Sequence, residues 1–123
     1  MQIGIDVGAT KIESVVLEDN GKEQFRSRTA CPKEYNQILK TVKEINDKLE
    51  KTFNKTLPIG LCHPGIHSPQ TGLVKNAPNC FWIEKKPFQK DLRKLLDKEV
   101  FCENDANCFA LSEAIDGAGK NHK

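Results

Sequence analysis

Two apolar, β-branched runs flank Asp6-Val7-Gly8-Ala9-Thr10-Lys11, and they leave the start of this chain little choice of fold. Met1 to Val7 places Ile3, Ile5 and Val7 on one face and Gly4 and Asp6 on the other. Ile12, Val15 and Val16 mark a second strand that runs to Leu17. The chain therefore turns back on Gly8, Ala9 and Thr10. Small residues there leave backbone N–H groups uncovered, and successive uncovered amides form a nest that binds anions. Thr10 adds a hydroxyl and Lys11 a positive charge. Asp6 brings a carboxylate suited to a hydrated Mg²⁺ beside phosphate oxygens. The stretch reads either as a phosphate loop or as an ordinary capped hairpin turn. It matches neither G-x-x-x-x-G-K-[ST] nor G-x-G-x-x-G.

Asp19-Asn20-Gly21-Lys22 is a second turn signal, and Glu23 to Thr29 alternates charge around Phe25 as an exposed edge strand does. Pro32 opens a helix of about five turns, with Ile38, Val42, Ile45 and Leu49 as its apolar stripe. Leu57 to Cys62 reads as a buried strand reached through that helix, hence parallel to a neighbour. It ends at His63-Pro64-Gly65, the place where open α/β sheets put ligands. Pro64-Gly65 also rules out a helical His63/His67 metal pair. Leu73-Val74 is a short strand, and Asn76-Ala77-Pro78-Asn79 a polar loop with Trp82 as its anchor. After Pro87 a second helix shows Phe88, Leu92, Leu95 and Leu96 on its apolar face. Glu99 to Cys102 is a fifth strand with Val100 and Phe101 buried. Asn104 and Asp105 then meet the start of a third helix carrying Ala106, Phe109, Ala110 and Ala114. Asp105 is there either an N-cap or a general base toward a substrate hydroxyl.

The order β-β-β-α-β-α-β-α gives an α/β fold: a mixed five-stranded sheet with helices on both faces. At 123 residues this is one domain. A net charge of +2 and no isolated basic block argue against a nucleic-acid partner. No apolar run is long enough to span a membrane, and no signal peptide precedes the first strand, so a cytoplasmic location is expected. The five cysteines are odd in number and lack C-x-x-C spacing. Cys62 and Cys102 fall in expected buried strands, and all five are read as reduced.

The element order resembles one half of the ribonuclease-H-like, actin-type ATPase fold. Four stretches carry a sharper resemblance: Asp6 to Lys11; Gly60-Leu61-Cys62-His63-Pro64-Gly65; Thr71 to Asn79; and Glu103-Asn104-Asp105-Ala106-Asn107-Cys108, extended by Leu111-Ser112-Glu113-Ala114. Together they resemble the N-terminal domain of sugar kinases of the repressor–ORF–kinase (ROK) family. Ser68 to Asn76 is most similar to bacterial fructokinases of the mannofructokinase type. N-acetylglucosamine kinases and glucokinases are competitors, followed by a non-catalytic sugar- or nucleotide-binding remnant and a sugar-sensing repressor.

The resemblance implies ATP-dependent phosphorylation of a hexose, with fructose favoured. It implies ATP phosphates on Gly8, Ala9, Thr10 and Lys11, and Mg²⁺ on Asp6. Asp105 would be the catalytic base, with Gly65, Asn79, Asn104 and Asp105 lining the sugar pocket. It further implies a homodimer, and structural zinc only in a C-terminal domain absent from this sequence. Residues 1–118 would be the N-terminal domain and 119–123 the start of a linker, so the chain alone would be inactive. The chain departs from the family pattern at Cys62, where a glycine is usual, and at Asn76-Ala77-Pro78-Asn79, where Asn-Ala-Asn is expected.

Overall fold

The computed structural model describes residues 1–77 and 81–104. β1 (Gln2–Val7) and β2 (Lys11–Leu17) form the expected hairpin, in a register that sets Asp6 opposite Glu13. β3 (Glu23–Ala30) adds antiparallel to β2 at the sheet edge, largely exposed. Its arginines serve β2: Arg28 donates to Glu13 Oε2 from Nε at 3.1 Å and Nη2 at 3.0 Å, and Arg26 binds the same carboxylate. The next strand in the sheet, β4 (Ile59–His63), lies parallel to β1, and β7 (Val100–Asn104) lies parallel to β4. The five-stranded order is β3-β2-β1-β4-β7. A second small sheet, unforeseen in part, pairs β5 (Ile66–His67) antiparallel to β6 (Val74–Lys75).

The period-two pattern decides which face is buried. Ile3, Ile5 and Val7 of β1, Ile59 and Leu61 of β4, and Val100 of β7 are fully or almost fully buried. α1 (Tyr35–Phe53) and α2 (Phe88–Leu96) pack onto that core. α1 starts three residues later than Pro32 suggests, because the Glu34 carboxylate caps it by accepting from the Asn36 and Gln37 amides. Its buried stripe is Ile38, Val42, Asn46 and Leu49, with Ile45 at the margin. Tyr35 Oη donates to Asp91 Oδ2 at 2.6 Å and ties α1 to α2.

Two burial expectations are corrected. Leu95 is 40% exposed, since α2 presents only Phe88 and Leu92 fully to the core. Phe101 is 59% exposed, because strand alternation sends it to the face opposite Val100. The same alternation sends Cys62 to that opposite face, half-buried, whereas Cys102 shares the face of Val100 and packs partly buried against the core. Reading every cysteine as reduced fails at Cys62, which is disulfide-bonded, while Cys31 and Cys102 carry thiols. A half-buried position on the sheet leaves that sulfur accessible to a second one. The expected third helix lies outside the described residues. Among the described residues, no helix is long and apolar enough to cross a membrane.

Lys98, in the turn before β7, is only 12% exposed and is fully satisfied. Its ammonium donates to Glu50 Oε2 at 2.8 Å, to Asn46 Oδ1 and to the Leu57 carbonyl. Glu50 Oε2 also accepts from the Leu57 amide at 2.9 Å. Burial pushes the Glu50 carboxyl up, but Lys98, the Leu57 amide and Asn46 together hold it below the ordinary glutamate value. The cluster joins α1, the approach to β4 and the approach to β7. It thereby sets the relative position of the two parallel strands.

Candidate active site

Parallel pairing brings the C-terminal ends of β1, β4 and β7 to one edge of the sheet. Asp6 is level with Cys62, and Cys62 with Glu103. One row further, His63 is level with Asn104, the last residue of β7. Asp6 and Glu103 thus stand two strand spacings apart, about 10 Å. The turn after β1, the turn after β4 and the end of β7 at Asn104 therefore lie along that one edge. Asp105 and Asn79 lie outside the described residues.

The first turn corrects part of the phosphate-loop expectation. Gly8 N–H donates to the Lys11 carbonyl at 2.8 Å, so it closes the hairpin and is committed. A Cβ on Gly8 would stand 3.0 Å from that same carbonyl oxygen, which is why a small residue is needed there. What remains for an anion is the Ala9 and Thr10 amides, with the exposed Thr10 hydroxyl and Lys11 ammonium beside them. The Asp6 carboxylate is exposed at the strand end. Oxygen ligands for a hard cation and donors for an anion, set side by side, fit a metal–polyphosphate. Glu13, opposite Asp6, is engaged by Arg26 and Arg28 and so is already neutralised.

The second turn is strained in a specific way. Gly65 has φ +76, and a Cβ there would meet the Lys75 carbonyl oxygen at 2.4 Å and Ala77 Cβ at 3.1 Å. The Pro64-Gly65 turn therefore lies directly on the segment from Lys75 to Ala77. His63 ends β4 completely buried, its Nδ1 2.8 Å from the Pro64 carbonyl. The His63 and His67 rings do meet, edge to face with centroids 4.8 Å apart, because a bend at Pro64-Gly65 rather than a helix joins them. Phe88 closes the group at 5.7 Å from His63. Sequence spacing missed this cluster, since it treated helix as the only way to pair the two histidines.

His67 also caps α2, its Nε2 accepting from the Gln89 amide at 3.1 Å. Burial, then the charges of His63 and Arg93, push it down to about 4 from an ordinary 6.5. A histidine with a depressed folded value binds fewer protons than in the unfolded chain below pH 6.5. Its contribution is therefore complete above pH 6.5 and lost as pH falls from there toward 4. Urea midpoints for wild type and His67→Gln, compared at pH 7 and pH 4.5, are expected to converge at the lower pH. Parallel curves at both would show that His67 does not titrate this way.

With this geometry in hand, similarity to known proteins is informative. A sequence profile of the ROK family matches residues 2–123. The chain belongs to the ROK family. The N-acetyl-D-glucosamine kinase of Pasteurella multocida (strain Pm70) is 41% identical over 117 residues, covering 94% of this chain and 38% of that protein. Among solved structures, the inorganic polyphosphate/ATP-glucomannokinase of Arthrobacter sp. strain KM superposes with a TM-score of 0.81 at 28% identity. That match covers 96% of this chain and 49% of the glucomannokinase. The ROK hexokinase of Thermus thermophilus gives 0.74 at 27% identity, over 86% of this chain and 35% of that one. The five-stranded mixed sheet and its ROK neighbours establish the ribonuclease-H-like, actin-type ATPase fold expected from the element order. The chain spans well under half the length of its Pasteurella ROK relative.

Proposed function

We propose that this ROK chain is the N-terminal part of an ATP-dependent hexose kinase. The observation that carries the reading is the shared edge. Parallel register puts Asp6, the turn at Gly65 and the end of β7 along one edge of the sheet, which supports this reading. Asp6 would hold Mg²⁺, which when bound neutralises charge on the phosphates. The Ala9 and Thr10 amides and Lys11 would take the phosphate oxygens, with Gly8 shaping the turn. Gly65, Asn79 and Asn104 would orient the sugar. Asp105 would take the proton from the attacking hydroxyl as the γ-phosphoryl group moves to it.

Resemblance within Ser68 to Asn76 favours fructose, but the relative matching 94% of the chain at 41% identity is an N-acetyl-D-glucosamine kinase. We therefore take N-acetyl-D-glucosamine as the acceptor and fructose as the competitor. The test is ADP release by the complete kinase, this chain with the C-terminal part its relatives carry. N-acetyl-D-glucosamine, glucose, mannose and fructose are compared at equal concentration. The expected result is a kcat/KM for N-acetyl-D-glucosamine about tenfold or more above fructose, the scale of one well-placed polar contact. A preference for fructose would reverse the substrate assignment, and no turnover with any hexose would remove the kinase reading.

A further inference from the structure

We propose that Glu84 is a positioning residue for the sugar side of the cleft. The inference rests on the kinase reading above and names a residue to which that reading gives no role. Asn76 has φ +61, a left-handed backbone that turns its own N–H and that of Ala77 toward one point. At that point sits the Glu84 carboxylate, Oε1 accepting from the Asn76 amide at 3.1 Å and Oε2 from the Ala77 amide at 2.8 Å. The protein has filled an anion nest with its own side chain.

Glu84 is itself held by a tight return of the chain. Val74 N–H donates to the Lys86 carbonyl at 2.9 Å, and Lys85 N–H donates to the Val74 carbonyl at 2.6 Å. Lys85 adopts φ +62 to make this return, and Ile83 beside Glu84 is fully buried. The carboxylate therefore projects from an anchored position and fixes Asn76 and Ala77 against it.

The consequence reaches Gly65. A Cβ built there would lie 3.2 Å from the Ala77 nitrogen, the atom that donates to Glu84, and 2.4 Å from the Lys75 carbonyl. Gly65 has no space to move toward this segment, and the segment cannot retreat while Glu84 holds both amides. Carboxylate, two amides and the Gly65 turn form one contiguous stack beyond the C-terminal end of β4. The phosphate loop, at the end of β1, makes none of these contacts. Loosening the stack should thus weaken sugar binding and leave nucleotide binding alone.

The experiment uses the complete kinase as wild type, Glu84→Ala and Glu84→Gln. Glu84→Ala is expected to raise KM for the sugar about tenfold, the scale of two lost hydrogen bonds to one charged acceptor. KM for Mg-ATP and kcat are expected to stay within about twofold, because phosphate loop and base are untouched. Glu84→Gln keeps one carbonyl acceptor and is expected to fall between. Amide hydrogen exchange supplies an independent readout: Asn76 and Ala77 should exchange faster in both variants, while the α1 amides should not. Unchanged exchange at Asn76 and Ala77 overturns the inference, as does faster exchange with both KM values moving equally. A wild-type protein that phosphorylates hexose and an alanine variant with the same sugar KM would sink the Glu84 assignment alone. A wild-type protein that phosphorylates none would sink the kinase reading and this inference with it.

Discussion

Asp105→Asn is expected to lower kcat of the complete kinase by about 10²–10⁴-fold while leaving its melting temperature nearly unchanged. The substitution separates the two roles open to this residue. Asparagine caps a helix as well as aspartate does, so a purely capping Asp105 would tolerate the change. A carboxamide has no lone pair basic enough to accept a hydroxyl proton, so a general base would not. β7 ends at Asn104, level with His63 and one row beyond the level of Asp6. Steady-state kinetics with thermal denaturation on the same sample checks the expectation. Turnover within a few-fold of wild type would take Asp105 out of the chemistry.

The second large effect concerns stability. Lys98→Met is expected to destabilise the fold by about 2 kcal/mol, lowering the melting temperature by roughly 6–10 °C. Lys98 is 12% exposed and Glu50 24%, so water replaces the lost ammonium only partly. Methionine keeps the aliphatic length but strands the Asn46 oxygen and the Leu57 carbonyl and leaves Glu50 Oε2 only the Leu57 amide. Because Glu50 would be left as an uncompensated carboxylate, adding Glu50→Gln to Lys98→Met should recover part of the loss. A single-variant shift below 2 °C, or a double variant at the sum of the two single losses, would mean that the cluster is not a coupled unit.

The five strands of the main sheet, the two described helices and their order were legible in the residues, since each rests on a local repeat. Alternation at Ile3, Ile5 and Val7, and helical spacing at Ile38, Val42 and Leu49, need no partner to be seen. The first loop and the Gly65 turn could be nominated for the same reason, each lying at the end of a run that local pattern defines, whereas Asn104 was nominated by the family resemblance. What local pattern misjudged was always the far side of a contact. Phe101 and Leu95 carry apolar side chains yet stand exposed, because burial depends on which neighbour covers a face. Gly8 was assigned an available amide, and the hairpin's own closure consumes it.

Sequence by itself determined the meander, the crossover through α1, the small residues at the turns and membership of the ROK family. These depend on side-chain type and near-neighbour spacing, which are written along the chain. Tertiary structure alone decided that His63, His67 and Phe88 share a buried cluster, that Lys98 gathers Asn46, Glu50 and Leu57, and that Glu84 holds the loop beneath Gly65. Each is an encounter of groups with no shared repeat, and their meeting is set by strand register and turn geometry, which no single segment encodes.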